Sequence, residues 1–118
     1  MSLDIWMSME VDTGGPEPYY LELFSANITS NLGEMADEAG IYTALWHPYE
    51  LNDGSFPTAG ELILPLENGL KKLKEDPSYY RQFDSPNGWG LYDNFVPFVE
   101  KVLDACKKHP KATVNTST

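Results

Sequence analysis

The sequence predicts a single α+β domain in two layers, an N-terminal β-hairpin and a C-terminal strand forming a small antiparallel sheet packed against three or more helices. Three observations carry this. Leu3 to Val11 alternates apolar and polar residues, the period of a half-buried strand. Leu91, Phe95, Phe98, Val99, Val102 and Cys106 recur at the 3.6-residue period of a helix. Ala112, Val114 and Thr116 alternate again near the end, with the β-branched content of a strand.

The first strand puts Leu3, Ile5, Met7, Met9 and Val11 on one face and Asp4, Trp6, Ser8 and Glu10 on the other. Asp12 to Pro18 is a turn-rich connection, because its glycines permit positive φ and its prolines cannot donate to a ladder. Tyr19 to Ser25 is the return strand, with Leu21 and Leu23 on its core side. Asn27 to Gly40 reads as a helix capped by Thr29 or Asn27, with Leu32, Met35, Ala36 and Ala39 as its buried stripe and Gly40 as its stop. Tyr42 to Trp46 is a short helical piece ended by His47-Pro48. After a loop from Asn52 to Pro57, Thr58 caps a long helix to about Asp76, in which Pro65 is expected to introduce a kink. Asp76-Pro77 opens one more short helix, through Phe83. In the last helix Pro97 is the one discordant residue, tolerated if the helix starts near Asn94 and a kink otherwise, and Lys107, Lys108 and His109 oppose its macrodipole before Pro110 stops it.

Charge is the most informative part of the composition. The 118 residues carry a net charge of −10, unevenly placed: the first 70 hold twelve Asp and Glu and no Lys or Arg, so they contribute −12 and the remainder +2. Direct binding of a nucleic-acid backbone is not expected, since there is no basic stripe, only short groups such as Lys71, Lys72 and Lys74. An apolar run of about 18 residues and a charged-then-apolar leader are both missing, so the expectation is a soluble, cytoplasmic protein with no membrane association. A single cysteine, Cys106, excludes an internal disulfide, and its place on the last helix's apolar stripe reads as a buried thiol.

No arrangement in the sequence commits to catalysis. His47 and His109 lie on different elements, neither with a second histidine or a cysteine at metal-ligand spacing, so no metal or cofactor is expected. His47 reads as packing beside an aromatic. Asp12-Thr13-Gly14 invites an aspartic-protease reading, but the chain beyond Ser25 is largely helical in pattern and the flanking Pro16 and Pro18 suit a hairpin loop. Carboxylates fall mostly on helix faces opposite the apolar stripes, where solvation is the default. No catalytic residue is assigned.

Two polar-aromatic clusters stand out. Asn27, Thr29 and Asn31 sit where a strand gives way to a helix, which points their amides and hydroxyl at free N–H groups or at a ligand. In Asn87-Gly88-Trp89-Gly90-Leu91-Tyr92 the glycines let the backbone turn tightly around an indole, which suits a core plug or a stacking platform. At these clusters the chain resembles a family of small, functionally uncharacterised proteins encoded in bacterial genomes and in phages or integrated mobile elements. The resemblance rests on Asn27-x-Thr29-x-Asn31 with Met35, on Asn87-Gly88-Trp89-Gly90-x-Tyr92, and on Phe98 through Cys106 to Pro110 with the closing strand. It implies no activity, only an accessory role such as action on host functions.

The leading functional expectation is a non-enzymatic binding module whose pocket is formed by Asn27, Thr29, Asn31, Asn87, Trp89 and Tyr92. Its ligand would be small and polar with a flat ring, nucleotide-like in character. The alternative is an acidic interaction protein that presents its −12 half to a basic host protein or mimics nucleic acid. Trp6 and Tyr20, if outward on the hairpin, would give a face for homo-oligomerisation.

Overall fold

Strands β1 (Ser2–Val11), β2 (Tyr19–Thr29) and β3 (Thr113–Ser117) form one antiparallel sheet in the order β2-β1-β3 in a computed structural model that describes residues 2–118. Met1 lies outside the described residues. Opposed residues of an antiparallel pair share a face. Leu3, Ile5 and Met7 of β1 therefore lie with Ile28, Ala26 and Phe24 of β2 and with Thr116 and Val114 of β3 on the inner face. Asp4, Trp6 and Ser8 share the outer face with Asn27, Ser25, Asn115 and Thr113, and this face is open to solvent. Trp6 and Tyr20 do point outward.

The helical layer covers the inner face. It comprises α1 (Gly33–Glu38), α2 (Tyr42–Trp46), α3 (Ala59–Glu75), α4 (Pro77–Arg81) and α5 (Tyr92–Lys108). Thr58 and Glu61 close a reciprocal capping box at the start of α3, the Thr58 N–H donating to Glu61 Oε2 at 2.7 Å. Helices α3 and α5 run antiparallel, bridged by Lys74–Glu100 at 3.2 Å and Lys107–Glu67 at 3.7 Å. Phe95 and Val99 of α5 and Leu62, Leu66 and Leu73 of α3 are fully buried against Leu3, Ile5 and Met7, in one apolar core without a buried charged or polar residue among the described residues. Among these residues no helix is long and apolar enough to cross a membrane.

Some element boundaries differ from expectation. Strand β2 continues through Asn27 to Thr29, where a helix was expected, because Asn27, Ile28 and Thr29 pair with Asp4, Leu3 and Ser2. The helix is correspondingly short, α1 following a single 3-10 turn at Ser30–Leu32, although Leu32, Met35, Ala36 and Ala39 are buried as the stripe predicts. Leu21 and Leu23 are the core side of β2 only in part. The pairing shifts between Met7 and Ser8, leaving Leu23 as the extra residue of a bulge that still packs against the core, while Leu21 is exposed and Phe24, Ala26 and Ile28 supply the rest of the strand's inner face. Helix α5 begins at Tyr92 rather than Asn94, so Pro97 lies inside it, and Pro65 lies inside α3.

Beyond the bulge the hairpin outruns its cover. β3 pairs only with Asp4 to Ser8, and Met9, Val11, Tyr19 and Leu21 are exposed although the register puts them on the inner face. The molecule is accordingly elongated, 53 × 27 × 24 Å, with residues 8–22 as a projecting two-stranded arm. At its tip the Gly14 N–H donates to Asp12 Oδ1 at 2.8 Å, so Asp12 organises a hairpin loop, as expected for Asp12-Thr13-Gly14.

Candidate functional site

The two polar-aromatic clusters, far apart in sequence, are brought into contact by the fold. Asn31 Nδ2 donates to the Trp89 carbonyl at 2.9 Å across a separation of 58 residues. Behind that bond, Gly90 lies so close to Asn31 that a Cβ added there would stand 3.1 Å from Asn31 Cβ. The loop carrying Trp89 is closed on itself. Asn87 Oδ1 accepts from the Trp89 N–H at 2.9 Å and from Ser85 Oγ at 2.6 Å, and the Ser85 N–H donates to the Gly90 carbonyl at 2.9 Å. Asp84 Oδ1 then accepts from the Tyr92 N–H at 2.7 Å, which fixes the start of α5. A loop held this firmly presents its indole outward, and Trp89 is 69% exposed.

An open recess of about 380 Å³ lies between the indole and the end of β2, lined by Ser2, Asn27, Ile28, Thr29, Asn31, Asn87 and Trp89. Its volume falls in the range of small-molecule sites. Five of the six residues singled out in the sequence thus share one surface. Among the described residues the Asn27 side chain has no hydrogen-bond partner, and Asn31 and Asn87 each engage only one end of their amides. Thr29 Oγ1 accepts from the Asn31 N–H at 3.4 Å and so caps the 3-10 turn. The recess therefore offers amide donors and acceptors, a hydroxyl and an aromatic face. None of the lining side chains is a carboxylate, imidazole, thiol or amine.

Tyr92 is the exception. It is 7% exposed, its hydroxyl donates to the Leu73 carbonyl at 2.7 Å, and the Arg81 guanidinium lies over its ring at 4.7 Å. The helical partner of the Leu73 carbonyl would be the amide of Pro77, which has no N–H, so Tyr92 supplies the missing donor. It is a core plug rather than a lining residue. Arg81 also bonds Asp93 Oδ1 at 2.7 Å, and that hydrogen bond holds the Asp93 carboxyl below the ordinary aspartate range. The first cluster does lie where a strand gives way to helical structure: β2 ends at Thr29, which caps the turn leading into α1, with Asn27 still in the strand and Asn31 in the turn, and the second cluster precedes α5.

Residue-by-residue reading missed Ser2, Ile28 and Lys101. A second recess of about 270 Å³ between β2 and α5 is lined by Ala26, Asn27, Ile28, Asn94, Pro97, Phe98 and Lys101, so it shares Asn27 and Ile28 with the first. Lys101 forms none of the ion pairs among the described residues. Its place beside Pro97 and Phe98 on α5 was legible, but its nearness to Asn27 required the strand pairing.

His47 lies between two phenols, Nε2 3.4 Å from Tyr42 Oη and Nδ1 3.1 Å from Tyr49 Oη, with both rings edge-on to it. This is the aromatic packing its sequence context suggests. Cys106 is buried, and burial pushes its thiol up to about 12, the opposite of what a nucleophile needs. No group of three His, Cys, Asp or Glu placed to hold a metal occurs among the described residues. The chain matches no protein-family model, no curated protein and no solved structure.

Proposed function

We propose that the protein is a binding module that holds a small polar ligand with a flat ring, nucleotide-like in character, between Trp89 and the amides of Asn27, Asn31 and Asn87. The observation that carries this reading is the Asn31–Trp89 bond, which places an exposed indole beside amides with unused donors and acceptors. A solvent-exposed tryptophan on a rigid loop contributes little to the core, but it stacks well on a planar ring. The amides read the edge of such a ring, as Asn and Gln read a base. Lys101, in the adjoining recess that shares Asn27 and Ile28, is the cation available to an anionic end such as a phosphate. With no titrating group in the recess, the role is binding and not turnover.

Calorimetry with the four common ribonucleosides and their 5′-monophosphates tests this. At least one should bind and quench tryptophan emission. Trp89→Ala should weaken it roughly 10- to 100-fold, the usual worth of one stacked base. Asn27→Ala should weaken it up to roughly tenfold through a lost hydrogen bond. Both variants should unfold at the wild-type temperature. The reading fails if no heat appears at ligand concentrations on the order of 1 mM, or if Trp89→Ala binds as well as wild type.

A further inference from the structure

We propose that the outer edge of β2 along Tyr19–Ser25 takes up an extended segment of another protein that alternates apolar and basic residues, adding it to the sheet as a fourth strand. The two edges of this sheet are treated differently. On the β3 side, the Val114 N–H donates to the Pro57 carbonyl at 2.9 Å and Thr58 bridges Thr113, so the start of that edge is covered. On the β2 side nothing among the described residues pairs with the outward backbone of Tyr19–Ser25, and the strand carries no lysine or proline to blunt it, the bulge at Leu23 being its one interruption. An open edge of this kind binds extended peptides through main-chain hydrogen bonds, with side-chain pattern setting the choice of partner.

The arm's two faces specify that pattern. One is apolar: Met9 is 40%, Leu21 44% and Tyr19 58% exposed, beyond the reach of any helix. The other carries Glu10 and Glu22, opposed to Tyr20 and Ser8. None of the five ion pairs among the described residues involves a carboxylate earlier in the chain than Glu67. The first 70 residues contain no lysine or arginine, and Lys101 of α5, which shares a recess with Asp4 and Glu22, pairs with neither. A strand laid along β2 sends alternate side chains to the two faces, apolar ones toward Leu21 and basic ones toward Glu22. A second copy is the poorer occupant, since pairing two arms would bring two sets of uncompensated carboxylates together. The interaction uses none of the Asn–Trp recess and does not depend on that reading.

The whole protein is titrated with a decapeptide alternating valine and lysine, and with valine–glutamate and serine–lysine decapeptides of equal length. The valine–lysine peptide should bind, slow hydrogen exchange at alternate amides of Tyr19–Ser25, and bind about tenfold more weakly as salt rises from roughly 0.05 to 0.5 M. Leu21→Ser and Glu22→Lys, both at exposed positions, should each weaken it roughly two- to fivefold, while Trp89→Ala leaves it unchanged. Failure of the valine–lysine peptide to bind overturns the proposal. So does equal binding of either comparison peptide, or binding without protection of β2. A concentration-dependent dimer abolished by Leu21→Ser in sedimentation would give the edge to a second copy and overturn it as well.

Discussion

Replacing Gly90 with alanine isolates the contact on which the candidate site stands. Gly90 has φ +122°, a region that side-chain-bearing residues avoid at a cost of about 1–2 kcal/mol. The added Cβ would also stand 3.1 Å from Asn31 Cβ and 3.5 Å from Leu32 Cγ, where relieving the overlap costs a further ~1–3 kcal/mol. Alanine restricts the unfolded chain and returns about 0.4–1 kcal/mol, so the net destabilisation is about 2–3 kcal/mol. For a chain of this size that lowers Tm by roughly 10 °C. Gly88→Ala is the matched control, because Gly88 shares a positive φ of 78° but an added Cβ meets nothing within 4 Å. It should cost only the backbone part, about 1 kcal/mol or less after the same offset. Urea unfolding followed by circular dichroism measures both, and the gap between the variants of about 1–2 kcal/mol reports the contact with Asn31. Equal stabilities would refute the packing of the Trp89 loop on the end of β2, and the recess would lose its basis.

Tyr92→Phe should destabilise the protein by about 1–3 kcal/mol, the cost of leaving the buried Leu73 carbonyl without a donor, and should leave ligand binding at the recess unchanged; calorimetric unfolding beside the binding titration checks both halves. The Cys106 thiol, raised by burial to about 12 from an ordinary 9.0, gives a pH dependence of definite sign. Above about pH 9 the unfolded chain sheds this proton while the folded chain keeps it, so stability falls as pH rises toward 12. Urea midpoints between pH 7 and 10.5 should therefore fall less steeply in Cys106→Ala than in wild type, and a thiol reagent should label the native protein only as it unfolds.

Local signals made much of this fold legible in advance. Alternation over Leu3–Val11 and Ala112–Thr116 marked β1 and β3, since a period of two has one structural meaning when one face is buried. Thr58 with Glu61, and Asp76 with Pro77, located helix starts because capping chemistry spans three residues. Trp89 with its flanking glycines was recognisable as a displayed or plugged indole, but not which of the two, because that depends on what lies across the loop. Asn27 was misplaced on a helix for the same reason: only its pairing with Asp4, residues distant in sequence, makes it a strand residue.

The sequence alone therefore determined the order and type of most elements, the charge asymmetry between the two halves, and the residues from which a site might be built. Tertiary structure decided the rest: that β2 runs on to Thr29, that Asn31 meets Trp89, that Tyr92 turns inward to serve Leu73, and that Leu21 lies beyond the helices. Capping and periodicity are set by neighbours within a turn or two and are written in adjacent residues. Strand pairing, loop docking and burial depend on chain segments that meet only after folding, and no short window of sequence contains both partners.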